Sequence, residues 1–373
     1  MDESPSLLPS TTVAVIVLSL INVVLDTPPL IWHIRNRNVA AAGLVYWILQ
    51  ANLMNFINAI IWPTDDVGNW FQGRVLCDIE TKLIPASYVG VVGSLVGIMR
   101  RLAGILNTEK TILTPTSAQR QRQLALDSFL SFGFPSVIMA LHYVVQPFRF
   151  AVRTTMGCYP PYDLSWPSIV LILMWPAILA VIVVYYSGRA IQPQHRASTD
   201  PVTVLVIHRL HKYRREFSSI LSSSNSEINK NRFMRLFLMS MTVIIVIIPA
   251  QAYVLYDFAA RISFSYDWSE VHGPDWGQIL LMPTHGAVDP GEWIQIAVGL
   301  LIFAFFGLGN DAMEMYRKWM LSLGFGSLLP SLYLSSQERH RLKESHASIS
   351  TSTKSSTPFF KRTRISWLSK FSK

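Results

Sequence analysis

Three asparagines, Asn52, Asn55 and Asn58, recur at every third residue of an otherwise apolar run, close enough to share one helical face. Asn22 and Asp26 stand one turn apart in an earlier run, just before Pro28 and Pro29, and Asn310 with Asp311 closes a later one. Such groups are expensive to place in hydrocarbon, so they mark either contacts between helices or a function. Two readings stand side by side: fixed glue, worth about 0.6 kcal/mol per bond, or a polar network that rearranges between states. Pro249 sits in the middle of another apolar run, where it removes a backbone hydrogen bond and bends the helix. It is a static kink or a pivot, and Trp175-Pro176 poses the same choice.

Reaction chemistry is poorly provided for. The histidine pair His208 and His211 falls in a basic polar stretch, which favours a solvated loop over a metal site. The sequence contains no Gly-rich phosphate loop, no nucleophile elbow and no paired carboxylates within one apolar run. The last apolar run has no lysine, so a Schiff-base chromophore would have no attachment point. No catalytic residue, metal or cofactor is expected.

The elements that carry these groups follow from composition. Half of the 373 residues are hydrophobic and only 15% are charged, against roughly 25% in soluble domains. Apolar runs reach about 20 residues, the length a helix needs to cross roughly 30 Å of hydrocarbon. Seven lie near Leu8–His33, Ala40–Trp62, Leu83–Leu106, Leu124–Val145, Trp166–Gly188, Phe233–Phe258 and Trp293–Tyr316. The fourth is the weakest of the seven, since it carries Asp127, Pro135 and His142. Open sheets cannot span lipid, and the runs lack the alternation of barrel strands. The expected fold is an all-α membrane protein, a seven-transmembrane-helix bundle.

Orientation follows from the cations. If the N-terminus is outside, 27 of the 32 Lys and Arg fall on inner segments, leaving Arg74, Lys82, Arg149, Arg153 and Arg261 outside. The segment after the sixth run is acidic, with Asp267, Glu270, Asp275, Asp289 and Glu292. This alternation explains the net charge of +9 without nucleic acid, which would require one basic face. Residues 1–7 are then extracellular, 8–319 form the bundle, and 320–373 form a cytoplasmic Ser-rich basic tail, largely disordered. The acidic start lacks the basic region of a signal peptide, so the first span is expected to stay in the mature protein. No cysteine closes the chain, so C-terminal prenylation is not expected. The tail ends on Phe359, Phe360, Lys361, Arg362, Arg364, Trp367 and Phe371, which either lies on an anionic leaflet or is a plain disordered end.

On this topology both cysteines, Cys77 and Cys158, face the oxidising exterior, where a disulfide would pin an outer loop over the bundle; the alternative is two free thiols. Ala86, Gly90, Gly93, Gly97 and Gly104 line one side of the third helix and make it the expected central strut. Arg100 and Arg101 end it, either as topology anchors or as contacts for a cytoplasmic partner. A long inner segment, Arg189–Arg232, combines His208, Arg209, Lys212, Arg214 and Arg215 with the serine run Ser218–Ser226.

Several strings together resemble the fungal mating-pheromone receptors of the a-factor type, and most of all their basidiomycete members. They are Trp62-Pro63 followed by Trp70, Gly73 and Leu76-Cys77-Asp78-Ile79, then Arg100, Arg101, Leu102 and Ile105. Next come His142-Tyr143, Gln146, Arg149, Phe150 and Gly157-Cys158. Trp175-Pro176, Arg232-Phe233, Arg235-Leu236 and Pro249 complete the set, so the resemblance covers Leu8 to Trp319. The Asp/Glu-Arg-Tyr string of many animal receptors is absent here, as it typically is in this fungal group.

The resemblance implies a G-protein-coupled receptor at the plasma membrane that binds a farnesylated peptide pheromone and activates a heterotrimeric G protein through its alpha subunit. Membrane lipid is the other implied partner, and a homodimer is left open. Arg100, Arg101, Arg209, Arg214, Arg215, Arg232 and Arg235 are the expected G-protein contacts. Trp268, Asp275, Trp276 and Glu292 are the expected ligand-facing residues, and Asn52, Asn55, Asn58 and Pro249 the polar core and hinge. Two other classes remain: a transporter whose path the asparagines line, and a membrane-embedded enzyme, which the shortage of catalytic groups disfavours.

Overall fold

The structure is a computed structural model of the chain, and it describes residues 8–106, 116–191, 230–263, 265–308, 310–322 and 324. Among the described residues seven helices are long and apolar enough to cross a membrane. They are α1 (Ser10–Arg35), α2 (Val39–Ile61), α3 (Arg74–Leu106), α4 (Ser117–Val144), α5 (Trp166–Arg189), α6 (Lys230–Ala259) and α7 (Pro290–Gly307). Several outreach the apolar runs that predict them. α3 begins at Arg74 and not at Leu83, because a polar stretch with Asp78, Glu80 and Lys82 continues the helix past its apolar part. α4 begins at Ser117 and not at Leu124, on a capping box in which Thr116 and Gln119 satisfy each other's backbone N–H groups.

The seventh run predicts one span to Tyr316, but it divides. A five-residue π turn, Phe303–Gly307, ends α7, and a separate helix α8 covers Asn310–Ser322. Its sequence, with Asp311, Glu314, Arg317 and Lys318, is too polar to prolong a span. Met313 opens a second compact unit, of which residues 313–322 and 324 are described. The expected extracellular segment 1–7 lies outside the described residues, as do most of the tail and the inner loop with Arg209, Arg214 and Arg215.

α3 is the strut: 78% of its membrane-length segment is buried, against 22% for α4 and α6. Its small residues allow this. A Cβ on Gly90 would lie 2.2 Å from the Trp47 indole nitrogen, and one on Gly93 2.2 Å from the Leu130 carbonyl oxygen, so α2 and α4 reach the backbone of α3 itself. Gly104, by contrast, meets nothing within 4 Å and adds nothing to that face. The core around α3 includes Leu44, Leu95, Met99, Leu102, Ile138, Val183, Met239 and Ile302.

Proline explains the irregular turn in α4. Pro135 has no N–H for the carbonyl of Ser131, four residues back, and the helix widens into a π turn at Phe129–Gly133. The freed carbonyl accepts from the Trp47 indole N–H at 2.7 Å, so a defect in one helix becomes a link to another.

One end of the bundle carries a small sheet of order β2-β1-β3, with β1 Phe150–Arg153, β2 Gly157–Tyr159 and β3 Ile279–Met282. β1 and β2 form an antiparallel hairpin with Val152 opposite Cys158, and β3 joins β1 in parallel with Ala151 opposite Leu280. The hairpin turns through Thr155 and Gly157, at φ 65° and 70°. A disulfide joins Cys158 to Cys77 near the start of α3, and Trp62, Phe150 and Val152 bury it.

Candidate functional site

Of the polar residues singled out by spacing, Asn22, Asn52, Asn55 and Asn58 meet, whereas the buried Asp26 carboxylate has no hydrogen-bond partner among the described residues. Asn52, Asn55 and Asn58 are buried on one face of α2, where Asn52 and Asn55 bond to α7 and Asn58 to α3 and the hairpin. The Asn22 amide donates to Asn52 Oδ1 and to the Ile296 carbonyl, both at 2.9 Å, tying α1 to α2 and α7. Asn52 donates to the Gln295 carbonyl at 3.2 Å, and Asn55 to Gln295 Oε1 at 2.9 Å. Asn58 donates to Glu80 Oε2 at 2.8 Å and to the Met156 carbonyl at 2.9 Å, which anchors the hairpin tip to α2 and α3. The network runs through the bundle interior from α1 to the sheet, and it does not face lipid. The side chains of Asn310 and Asp311 lie outside the described residues.

Beneath the sheet is a cavity of about 30 Å³ between α2, α3 and α7, lined by Gln50, Met54, Asn55, Asn58, Ile84, Ser87, Tyr88, Met156, Asp289, Glu292 and Gln295. Glu292 is 3% exposed, so it sits inside the bundle and not on the outer surface with Trp268 and Trp276. The reason is the helix start: Asp289 caps α7 through the Gly291 N–H at 2.7 Å, and Glu292 enters its first turn pointing inward.

The other expected ligand residues stay near the surface. Trp268 stacks on His272 with ring centroids 3.8 Å apart, Tyr143 lies 5.5 Å from Trp276, and the Trp276 indole donates to the Gln146 carbonyl at 2.8 Å. These four rings form an aromatic shelf on the end of α4, and Asp275 is exposed beside it. Arg149 bonds Asp78 through two nitrogens, at 2.8 and 2.6 Å, and the carboxylate raises the guanidinium's pKa. His142 donates from Nε2 to the Pro161 carbonyl at 3.0 Å, which leaves Nδ1 to accept from Lys82 at 3.2 Å. Asp65 accepts from the Thr154 hydroxyl and from the Thr284 N–H at 3.0 Å, and that hydroxyl holds its carboxyl below the ordinary range. These polar and aromatic residues thus hold the sheet, its loops and the helix ends together.

At the opposite end Arg100 and Arg101 are not free. Arg100 Nη2 lies 2.8 Å from Asp127 Oδ1, and Arg101 pairs with Oδ2 of the same carboxylate, which has no exposed surface. Arg101 also reaches Asn38 Oδ1 at 3.4 Å. Sequence reasoning saw Asp127 only as a flaw in the fourth span; the signal it missed is that an acid at membrane depth calls for a cation, and α3 ends in two. Arg235 lines a small cavity with Trp32, His33, Phe305 and Phe306. The side chain of Arg232, like Arg209, Arg214 and Arg215, lies outside the described residues. Pro249 lies within α6, which continues through it. α6 buries Met239, Ser240, Val243 and Ile244 in its half nearer the arginines and Phe258 near its other end, but leaves Ile245, Ile248, Tyr253, Val254 and Tyr256 exposed.

Comparison with known proteins supplies the rest. Residues 14–324 match the family described as pheromone A receptor (STE3). The pheromone a factor receptor of Saccharomyces cerevisiae is 28% identical over 322 residues, covering 85% of this chain and 63% of the relative. The pheromone B beta 1 receptor of Schizophyllum commune is 27% identical, covering 83% of this chain and 56% of the relative. Pheromone receptor 1 of Ustilago hordei is 26% identical, covering 78% of each chain. The chain spans less than two thirds of the length of the first two of these relatives. No solved structure matches.

Proposed function

The chain belongs to the pheromone A receptor family, and from that premise we propose that it is a G-protein-coupled receptor for a farnesylated peptide mating pheromone. The observation that carries this is a family match running through all seven spans of a multi-pass plasma-membrane bundle. The family is one of receptors and not of enzymes, and nothing favours the transporter alternative.

In this proposal the sheet end faces outward, in keeping with the cation distribution and the disulfide it carries. The farnesyl chain enters the apolar bundle, and the peptide meets the sheet and the aromatic shelf. Arg100, Arg101, Arg232 and Arg235, with Arg209, Arg214 and Arg215 of the inner loop, serve the G-protein alpha subunit. Ligand favours an open inner face by binding that state more tightly, and α6 pivots near Pro249. The exposed residues on both sides of Pro249, Ile245 and Ile248 before it and Tyr253, Val254 and Tyr256 after it, support a bend there, since little packing resists it.

Expression in a fungal cell lacking its own receptor, challenged with a panel of synthetic farnesylated peptides, tests the proposal. The expected result is a mating response to at least one peptide, with nucleotide exchange on a co-purified G protein. Surface expression with no response to any peptide, together with ligand uptake into vesicles, would instead point to transport.

A further inference from the structure

The cavity beneath the sheet contains an imbalance that the polar network does not account for. Four buried oxygens with no hydrogen-bond donor among the described residues belong to three residues that line it: Gln50 Oε1, Asn58 Oδ1 and both carboxylate oxygens of Glu292. The orientation of Asn58 is not arbitrary, because its amide nitrogen already donates to Glu80 and to the Met156 carbonyl, so its oxygen must point elsewhere. Among the described residues no Lys, Arg or His lines the cavity. Arg153 is engaged with Asp289, at the rim of the cavity, at 3.2 Å. Buried acceptors without donors are costly, and a carboxylate is the costliest of them.

We propose that this cavity is a binding site for a primary ammonium group, held by Glu292, Asn58 and Gln50. An ammonium brings three N–H donors, no acceptor and one positive charge, which matches a set of oxygens that offers no donor. The volume of about 30 Å³ suits a head of that size, close to the share of one water. A guanidinium is too broad. Insofar as the ammonium belongs to the peptide ligand, as a free amino terminus or a lysine, the inference rests on the function proposed above; a free alkali cation is the other source of the same chemistry.

The full chain in lipid nanodiscs, melted in ethylammonium, sodium or tetraethylammonium chloride at equal ionic strength, separates these cases. Ethylammonium should raise the unfolding midpoint by about 2–4 °C over tetraethylammonium, sodium should not, and Glu292→Gln should remove the difference. An equal effect of sodium would reassign the site to an alkali ion. No difference between ethylammonium and tetraethylammonium in the wild type would overturn the site whether or not the variant folds. In cells, an activating farnesylated peptide should lose at least ten-fold in potency when its amines are blocked, and Glu292→Gln should abolish that distinction. Equal potency of the blocked peptide would detach the cavity from the ligand. If no peptide activates, the receptor proposal fails while the melting result still decides the ammonium site.

Discussion

Arg100, near the end of α3, meets Asp127 within α4 at 2.8 Å, and the Asp127 carboxylate, with which Arg101 also pairs, is wholly shut off from solvent. Two cations of the proposed G-protein surface are therefore spent on an internal acid. The pairing is a clamp whose strength depends on burial, since a buried ion pair is costly to break from one side only. Asp127→Asn keeps the shape and releases both arginines. Its expected effect is raised signalling without peptide, read from a mating-pathway reporter at matched surface levels; unchanged basal output would show that the clamp does not restrain the inner face.

The opposite change has a different signature. Replacing Arg100 and Arg101 with glutamine leaves Asp127 buried and uncompensated, at a cost of about 3–5 kcal/mol. Surface expression should fall sharply, and adding Asp127→Asn to the pair should restore it. Flow cytometry of an epitope-tagged receptor measures both, and a triple variant no better expressed than the double would remove the electrostatic explanation.

Cys77→Ser and Cys158→Ser should be equally damaging to surface expression and peptide response, and the double variant no worse than either, because each alone already loses the same bond. Clearly additive losses would mean that the cysteines act separately.

Gly157 turns the hairpin at φ 70°, and a Cβ there would meet Asn58 Cγ at 2.5 Å. Gly157→Ala combines left-handed strain, about 1–3 kcal/mol, with displacement of the asparagine that anchors Met156. A lower melting temperature and weaker peptide response are expected. Asn58→Ala in the same background should relieve only part of the clash, because the residue 58 Cβ would still lie 2.7 Å away, and none of the strain, so recovery should be partial.

Asp65 gives a pH dependence of defined sign. Its folded pKa lies below the ordinary 3.8, chiefly through the Thr154 hydroxyl, so its contribution to stability is fully present above 3.8 and is lost as pH falls through the lower folded value. Melting midpoints titrated downward through that range should drop more steeply for the wild type than for Asp65→Asn. Parallel curves would show that this contact adds no pH sensitivity.

The spans were legible because length and hydropathy are local properties, and the asparagine face because its spacing is. Two kinds of information were not local. The sheet pairs β1 with β3 across more than a hundred residues, and nothing in the strand Ile279–Met282 announces a partner at Phe150–Arg153. Charge partners were equally hidden: Asp127 looked like a defect until the end of α3 met it, and Glu292 looked like part of an acidic outer surface until the capped start of α7 turned it inward. The break after Gly307 escaped because composition changes gradually there while the backbone changes at one turn.

The link between α6 and the sheet constrains how the bundle works as a machine. Directly after Ala259 the chain is stapled down: the Ser263 N–H donates to the Leu164 carbonyl at 2.6 Å, the Tyr266 hydroxyl to the Val144 carbonyl at 2.7 Å, and β3 then joins a sheet welded to α3 through sulfur. α6 is thus a lever pinned at one tip. Any rotation about Pro249 leaves that tip nearly still and gives the greatest travel to the far arm, where Arg235 sits.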